Sequence, residues 1–210
     1  MSHPLRVMLA DDHEALRQGL RALFATEPGV EVVEDVGNVE ATLDGVRKLA
    51  PDVLVLDLSL PTGGGLTAIP QVRAIQPHTA VLVLTRHRDL AFVRAAFSAG
   101  AAGYVLKQSP FDELRRATAV AVTGRRYVDT SLQSTFNETS PNQRHQVSAR
   151  EIEVLRRTVL GQSNKEIATA LNIAVKTVEV HKSNGMRKLN LAERDALVRY
   201  GVLQGWLLEP

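Results

Sequence analysis

Between Leu5 and about Val122, short apolar runs alternate with longer amphipathic stretches, the pattern of β-strands each followed by a helix. Five runs read as strands: Leu5 to Ala10, Val30 to Val36, Val53 to Asp57, Ala80 to Leu84 and Gly103 to Leu106. Helix-length connections force parallel pairing, so both faces of the sheet should be covered. The expected fold is α/β, a doubly wound five-stranded parallel sheet. Gly63-Gly64-Gly65 precedes Pro70, and because proline is comfortable only at a first helical position, the third helix is expected to start late.

Around Gly124 the periodicity stops. Asp129 to Gln146 is rich in Ser, Thr, Asn and Gln with Pro141 inside it, which reads as a linker over residues 123–146. From Val147 the pattern is helical only. Ser148 with Glu151 three residues later forms a capping box, and Gly161 ends that helix. Lys165 to Leu171, Val175 to Leu189 and Glu193 to Gln204 follow, with Gly205 as a stop. A domain over residues 1–122 is thus followed by a smaller all-α domain over 147–210.

The totals fit this division. A chain of 210 residues with 44% hydrophobic and 23% charged residues matches two modest globular domains. No apolar stretch approaches the ~20 residues that span a bilayer. There is no cysteine, and Met1-Ser2-His3-Pro4 does not open a signal-type segment, so a cytoplasmic protein with no membrane partner is expected. The net charge of +2 is unevenly placed: residues 1–120 carry 12 basic and 14 acidic groups, residues 145–210 carry 10 and 7.

The chemistry lies at the strand ends. Asp57 closes the third strand and Asp11-Asp12 the first, and ligands of open parallel sheets bind at the carboxyl ends of strands. Three carboxylates crowded there would repel by several kcal/mol, so they share protons or hold a divalent ion. Oxygen-only ligands favour Mg²⁺, which takes one or two carboxylates and keeps waters that phosphate can replace. Thr85 after the fourth strand and Lys107 after the fifth offer a hydroxyl and a positive charge to phosphoryl oxygens.

This set resembles the receiver domain of bacterial two-component response regulators, a flavodoxin-like fold. The likeness covers residues 5 to 122 and includes Asp57-Leu58-Ser59-Leu60-Pro61 with Gly65, Leu82-Val83-Leu84-Thr85, and Gly100-Ala101-Ala102-Gly103-Tyr104-Val105-Leu106-Lys107. The resemblance implies that a histidine kinase phosphorylates Asp57, that Asp11 and Asp12 hold Mg²⁺ beside it, and that Lys107 pairs with the phosphoryl group. It also implies a coupled switch in which Thr85 bonds a phosphoryl oxygen and Tyr104 turns inward. Phosphatases of the haloacid dehalogenase type share a strand-end Asp but add a second two residues later, where this chain has Ser59. Without that acid and base an aspartyl-phosphate turns over slowly, which suits a switch rather than an enzyme.

Residues 147 to 208 resemble the LuxR-type helix-turn-helix, on Ser148-Ala149-Arg150-Glu151-Ile152-Glu153-Val154-Leu155, Ser163-Asn164-Lys165-Glu166-Ile167-Ala168 and Lys176-Thr177-Val178-Glu179-Val180-His181. With the receiver, the chain resembles the NarL/FixJ type of response regulator. A helix, a turn at Asn172 to Ala174 and a second helix is the geometry that enters a major groove. At about 100° per residue, Val178, Gly185 and Leu189 share the core face, opposite Lys176, Val180, Ser183 and Arg187, with Glu179 at the edge. The resemblance places base readers at Glu179, Val180 and Ser183. Lys165, Lys176, Thr177, His181, Lys182 and Lys188 are candidates for phosphate contacts, or simply solvated surface groups. The last helix, with Ala196, Leu197, Tyr200, Val202 and Leu203, either dimerises or packs within its domain; a homodimer on double-stranded DNA is expected.

Some positions depart from the pattern. Gly185 on the core face removes packing and weakens the helix by ~1 kcal/mol, Ala174 forgoes an N-cap, and Gly201 weakens the last helix. Arg86 and His87 lie beyond Thr85, near the pocket mouth. The whole reads as a response regulator whose DNA binding is controlled by phosphorylation, against the alternative of a phosphorylation-independent regulator whose receiver serves only dimerisation or ligand binding.

Overall fold

The computed structural model describes residues 3–61, 64–138 and 147–207. The chain divides into two compact units, the first holding the sheet and most of the helices around it, the second the C-terminal helices, with residues 89–92 and 135–138 grouped with the second.

In chain order the first unit runs β1 (Leu5–Ala10), α1 (Glu14–Phe24), β2 (Val30–Val36), α2 (Val39–Leu49), β3 (Val53–Leu56), α3 (Gly64–Ile75), β4 (Ala80–Thr85), α4 (Leu90–Ala99), β5 (Gly103–Leu106), α5 (Phe111–Ala121), β6 (Tyr127–Val128) and α6 (Thr130–Glu138). The sheet order is β2-β1-β3-β4-β5-β6, every pair parallel. One face packs Val7, Leu9, Val53, Val55, Leu82, Leu84 and Val105 against Leu20 and Phe24 of α1 and Leu114, Ala117 and Ala121 of α5. Met8 lies on the other face, where Gly45 of α2 approaches so closely that a Cβ would overlap the Met8 side chain. Each of the five expected strands is present within one residue of its expected bounds.

Two expectations are corrected. α3 starts at Gly64, so Pro70 is interior to it rather than at its first turn. An interior proline costs ~3 kcal/mol locally, but Leu66, Ala68, Ile69 and Val72 are all fully or nearly fully buried, and that tertiary burial outweighs it. The second correction is the sixth strand. Tyr127 pairs with Gly103 and Val128 with Tyr104, inside the stretch read as linker, and α6 follows at once. A two-residue strand is too short to show alternation. The rest of that stretch, residues 139–146 with Pro141, lies outside the described residues, as does Gly63.

The second unit comprises α7 (Ala149–Val159), α8 (Asn164–Leu171), α9 (Val175–Leu189) and α10 (Arg194–Leu203). The Ser148/Glu151 capping box is formed, and Ser163 with Glu166 makes a second one at the start of α8. Val154, Ile167, Ala168 and Val178 form the core, flanked by Leu171 and Ile173. Asn172 adopts a left-handed conformation, φ 51°, which ends α8 and turns the chain into α9. Gly201 of α10 sits against Val159, whose methyl carbons lie 2.7 and 2.8 Å from where a Cβ would be. Gly201 therefore permits close packing of α10 on α7 as well as lowering helix propensity.

Candidate functional site

The ladder hydrogen bonds continue past the strand ends and bring the strand-end residues together. Asp57 N–H donates to Ala10 C=O at 2.8 Å, Asp11 N–H to Val36 C=O at 3.0 Å and Lys107 N–H to Thr85 C=O at 2.8 Å. Asp57 and Asp11 are 2% and 3% exposed, so two carboxylates share a space almost closed to water. Lys107 Nζ reaches both, 2.8 Å from Asp57 Oδ2 and 2.6 Å from Asp11 Oδ2. The contact to Asp57 is a hydrogen bond, while that to Asp11 is a charge contact without hydrogen-bond alignment.

That leaves buried Asp57 Oδ1 without a hydrogen-bond partner in the described structure. A buried unpaired carboxylate oxygen is costly unless a ligand meets it. Ligand atoms of Asp11, Asp12, His13 and Asp57 all lie within 4.8 Å of one another, and this oxygen-rich set fits a hard divalent cation such as Mg²⁺. His13 was not foreseen. Its Nδ1 lies 2.6 Å from Asp12 Oδ1 and 3.2 Å from Asp11 Oδ1, and its N–H donates to Asp11 Oδ1 at 2.9 Å.

The loops are held from behind. Gly65 N–H donates to Leu58 C=O at 2.9 Å, and a Cβ at Gly65 would collide with the backbone of Asp57 and lie 2.8 Å from Leu58 Cα. Only glycine lets α3 begin so close to the Asp57 loop. Arg17 of α1, also unforeseen, donates from Nη1 to Asp11 C=O at 2.6 Å and from Nε to Asp35 Oδ2 at 3.1 Å. In the sequence Arg17 has the spacing of an ordinary helix-surface charge; nothing there shows it turning under the β1–α1 loop.

Thr85 and Tyr104 are both fully buried, so Tyr104 points inward. The backbone of His87 joins them: its N–H faces Thr85 Oγ1 at 3.4 Å and its C=O accepts from Tyr104 Oη at 2.8 Å. His87 thus contributes through its main chain, while Arg86 beside it is exposed.

On α9 the expected faces are present. Val178 and Gly185 are buried and Leu189 half-buried, whereas Lys176, Glu179, Val180, Ser183 and Arg187 are exposed. Val180, 50% exposed, is an apolar side chain with no place in the core. Glu179, Lys182, Ser183 and Arg187 line one shallow groove with Asn164; Lys165, Asn172, Ala174 and Val175 line a second. Thr177 and His181 are half-buried beside them. Lys188 differs: its ammonium lies 2.8 Å from both carboxylate oxygens of buried Glu151, tying α9 to α7. Burial works against ionisation of Glu151, but the bonds from Lys188 and Ser148 outweigh it and hold its carboxyl below the usual range.

Gly185 also reads differently in place. A Cβ there would meet Leu155 Cδ1 at 2.9 Å, so Leu155 fills the space and α9 packs closely against α7. Ala174 makes no side-chain cap, as expected. In α10, Ala196, Leu197 and Leu203 are buried, Tyr200 meets Trp206 edge-on at 5.6 Å, and Val202 is 44% exposed.

Comparison with known proteins agrees with both halves. The response regulator receiver domain family matches residues 7–119, and the bacterial regulatory proteins of the luxR family match residues 145–201. The oxygen regulatory protein NreC of Staphylococcus carnosus is 36% identical over 210 residues, covering 94% of this chain and 97% of that one, and NreC of Staphylococcus haemolyticus is 33% identical with the same coverage. Among solved structures, RcsB from Salmonella enterica serovar Typhimurium bound to promoter P1flhDC in the presence of the phosphomimetic BeF3⁻ superposes with a TM-score of 0.82 at 30% identity, covering 94% of this chain and 98% of that one. The chain therefore belongs to the two-component response regulators that join a receiver domain to a LuxR-type helix-turn-helix.

Proposed function

We propose that Asp57 is the phosphoacceptor and that its phosphorylation by a cognate sensor histidine kinase controls binding of a cytoplasmic homodimer to double-stranded DNA. The observation that carries this reading is the buried, unpartnered Asp57 Oδ1 beside a lysine already bonded to Oδ2. Oδ1 is the nucleophile: it forms the bond to phosphorus as the phosphorus–nitrogen bond to the kinase histidine breaks. Asp11, Asp12 and Asp57 would hold Mg²⁺, which when bound offsets the charge of the phosphoryl oxygens. Lys107 can then follow the added charge, about one unit, and release Asp11. In this reading Thr85 donates its hydroxyl to a phosphoryl oxygen and Tyr104 moves with it, which is supported by the burial of both side chains and by the His87 backbone that contacts both. Ser59 leaves the position two residues after Asp57 without the general acid and base of a phosphatase, so the product persists as a signal instead of turning over as in an enzyme.

In the second unit Lys165, Lys176, Thr177, His181, Lys182 and Arg187 meet phosphates or the groove wall, and Glu179, Val180 and Ser183 face base edges. Lys188 serves the domain's own packing, because Glu151 would otherwise be buried unpaired. Exposed Val202 of α10 supports a contact between copies on two half-sites. The assignment of Asp57 is tested by incubating the chain with Mg²⁺ and acetyl phosphate beside Asp57→Ala. Label on the natural chain that is absent from the variant and from samples with chelator is expected; equal labelling of both chains contradicts the site.

A further inference from the structure

We infer that Asp129, outside the receiver family match, is a positioning residue that joins the phosphoryl pocket to the helix leading out of the receiver. This inference rests on the pocket proposed above. Asp129 is 1% exposed, and its two carboxylate oxygens face two different parts of the chain. Oδ2 accepts from Leu106 N–H at 3.0 Å and from Ser109 Oγ at 2.6 Å. Those donors flank Lys107, so one oxygen brackets the residue whose ammonium touches Asp57 and Asp11. Oδ1 accepts from Ser131 N–H at 2.9 Å and Ser131 Oγ at 2.6 Å, which satisfies the first turn of α6. Asp129 N–H in turn donates to Tyr104 C=O at 2.8 Å, so the same residue is tied to β5 at two places.

A second buried carboxylate keeps the start of α6 on the receiver. Glu113 of α5 accepts from Thr130 N–H and Oγ1, both at 2.7 Å, and from Tyr127 Oη at 2.8 Å. With the segment anchored on α5, a shift of Lys107 toward a phosphoryl group pulls on Leu106 and Ser109 and reaches α6 through a single rigid carboxylate. One side chain with both oxygens engaged has no slack to absorb that shift.

The test uses the full chain and the variants Asp129→Asn, Ser109→Ala and Ser131→Ala. An amide in place of the carboxylate keeps the shape but can accept on one side only. Amide hydrogen exchange in the untreated protein reads the bonds without phosphorylation. In Asp129→Asn, exchange at Leu106 or at Ser131 should quicken by roughly tenfold, and labelling by acetyl phosphate should slow by about tenfold as Lys107 loses its bracket. Ser109→Ala, which leaves the carboxylate in place, should slow labelling by about threefold. Ser131→Ala should loosen α6 alone and label at the natural rate. Unchanged exchange and unchanged labelling in Asp129→Asn and Ser109→Ala would overturn the inference. A natural chain that takes no label would overturn the phosphoacceptor reading instead, and the exchange pattern would still decide the role of Asp129.

Discussion

Glu113 shows how much a single buried acid can contribute at the residue scale. Burial opposes its ionisation, yet donors from Thr130, Tyr127 and Arg116 outweigh that and lower its pKa from 4.5 to about 2. A carboxyl depressed in the folded state stabilises the protein above its unfolded value, and the contribution disappears as pH falls from about 4.5 toward about 2. At neutral pH it is on the order of 3 kcal/mol. Urea midpoints of the natural chain and Glu113→Gln should therefore differ widely at about pH 6, draw together below about pH 4.5 and converge only near about pH 2; a gap independent of pH contradicts this. Lys188 offers a second residue-scale test, because the structure gives it a different task from its neighbours. Lys188→Gln should lower stability by about 3 kcal/mol through the unpaired Glu151 and leave the salt slope of DNA binding unchanged. Lys176→Gln should do the reverse, reducing that slope by about one. The sequence shows both only as basic residues on one helix, since the partner of Lys188 lies 37 positions away.

At the scale of elements, what was legible followed period and position. Largely apolar runs marked β1 to β5, and the residues following four of them, Asp11, Asp57, Thr85 and Lys107, marked the candidate pocket from strand ends alone. What was not legible depends on contacts distant in sequence: Arg17 under the β1–α1 loop, the His87 main chain between Thr85 and Tyr104, and two-residue β6. Composition also concealed the start of α6, because Thr130 and Ser131, which suggest a loop, are here hydrogen-bonded to buried Glu113 and Asp129. Gly185 carries a similar lesson, since its effect depends on Leu155 in another helix. Gly185→Ala gains ~1 kcal/mol of intrinsic helix propensity but overpacks Leu155 by more than that. Its melting temperature should fall by several degrees and its DNA affinity with it; a rise in melting temperature contradicts the close-packing account.

For the whole molecule, chemistry and charge are divided between two units: an acidic pocket at the strand ends of one and a basic helical face on the other. Regulation requires that a phosphoryl group on the first bias a two-state property of the second, whether by unmasking the reading helix or by favouring dimers. Asp129 and the start of α6 lie at the C-terminal end of the first unit. The direct test is the affinity of one preparation for duplexes selected from a random library, measured before and after treatment with Mg²⁺ and acetyl phosphate, beside Asp57→Ala. The account predicts a gain of roughly tenfold for the natural chain and none for the variant. Equal affinities for the natural chain before and after treatment, with Asp57 labelled, would contradict it.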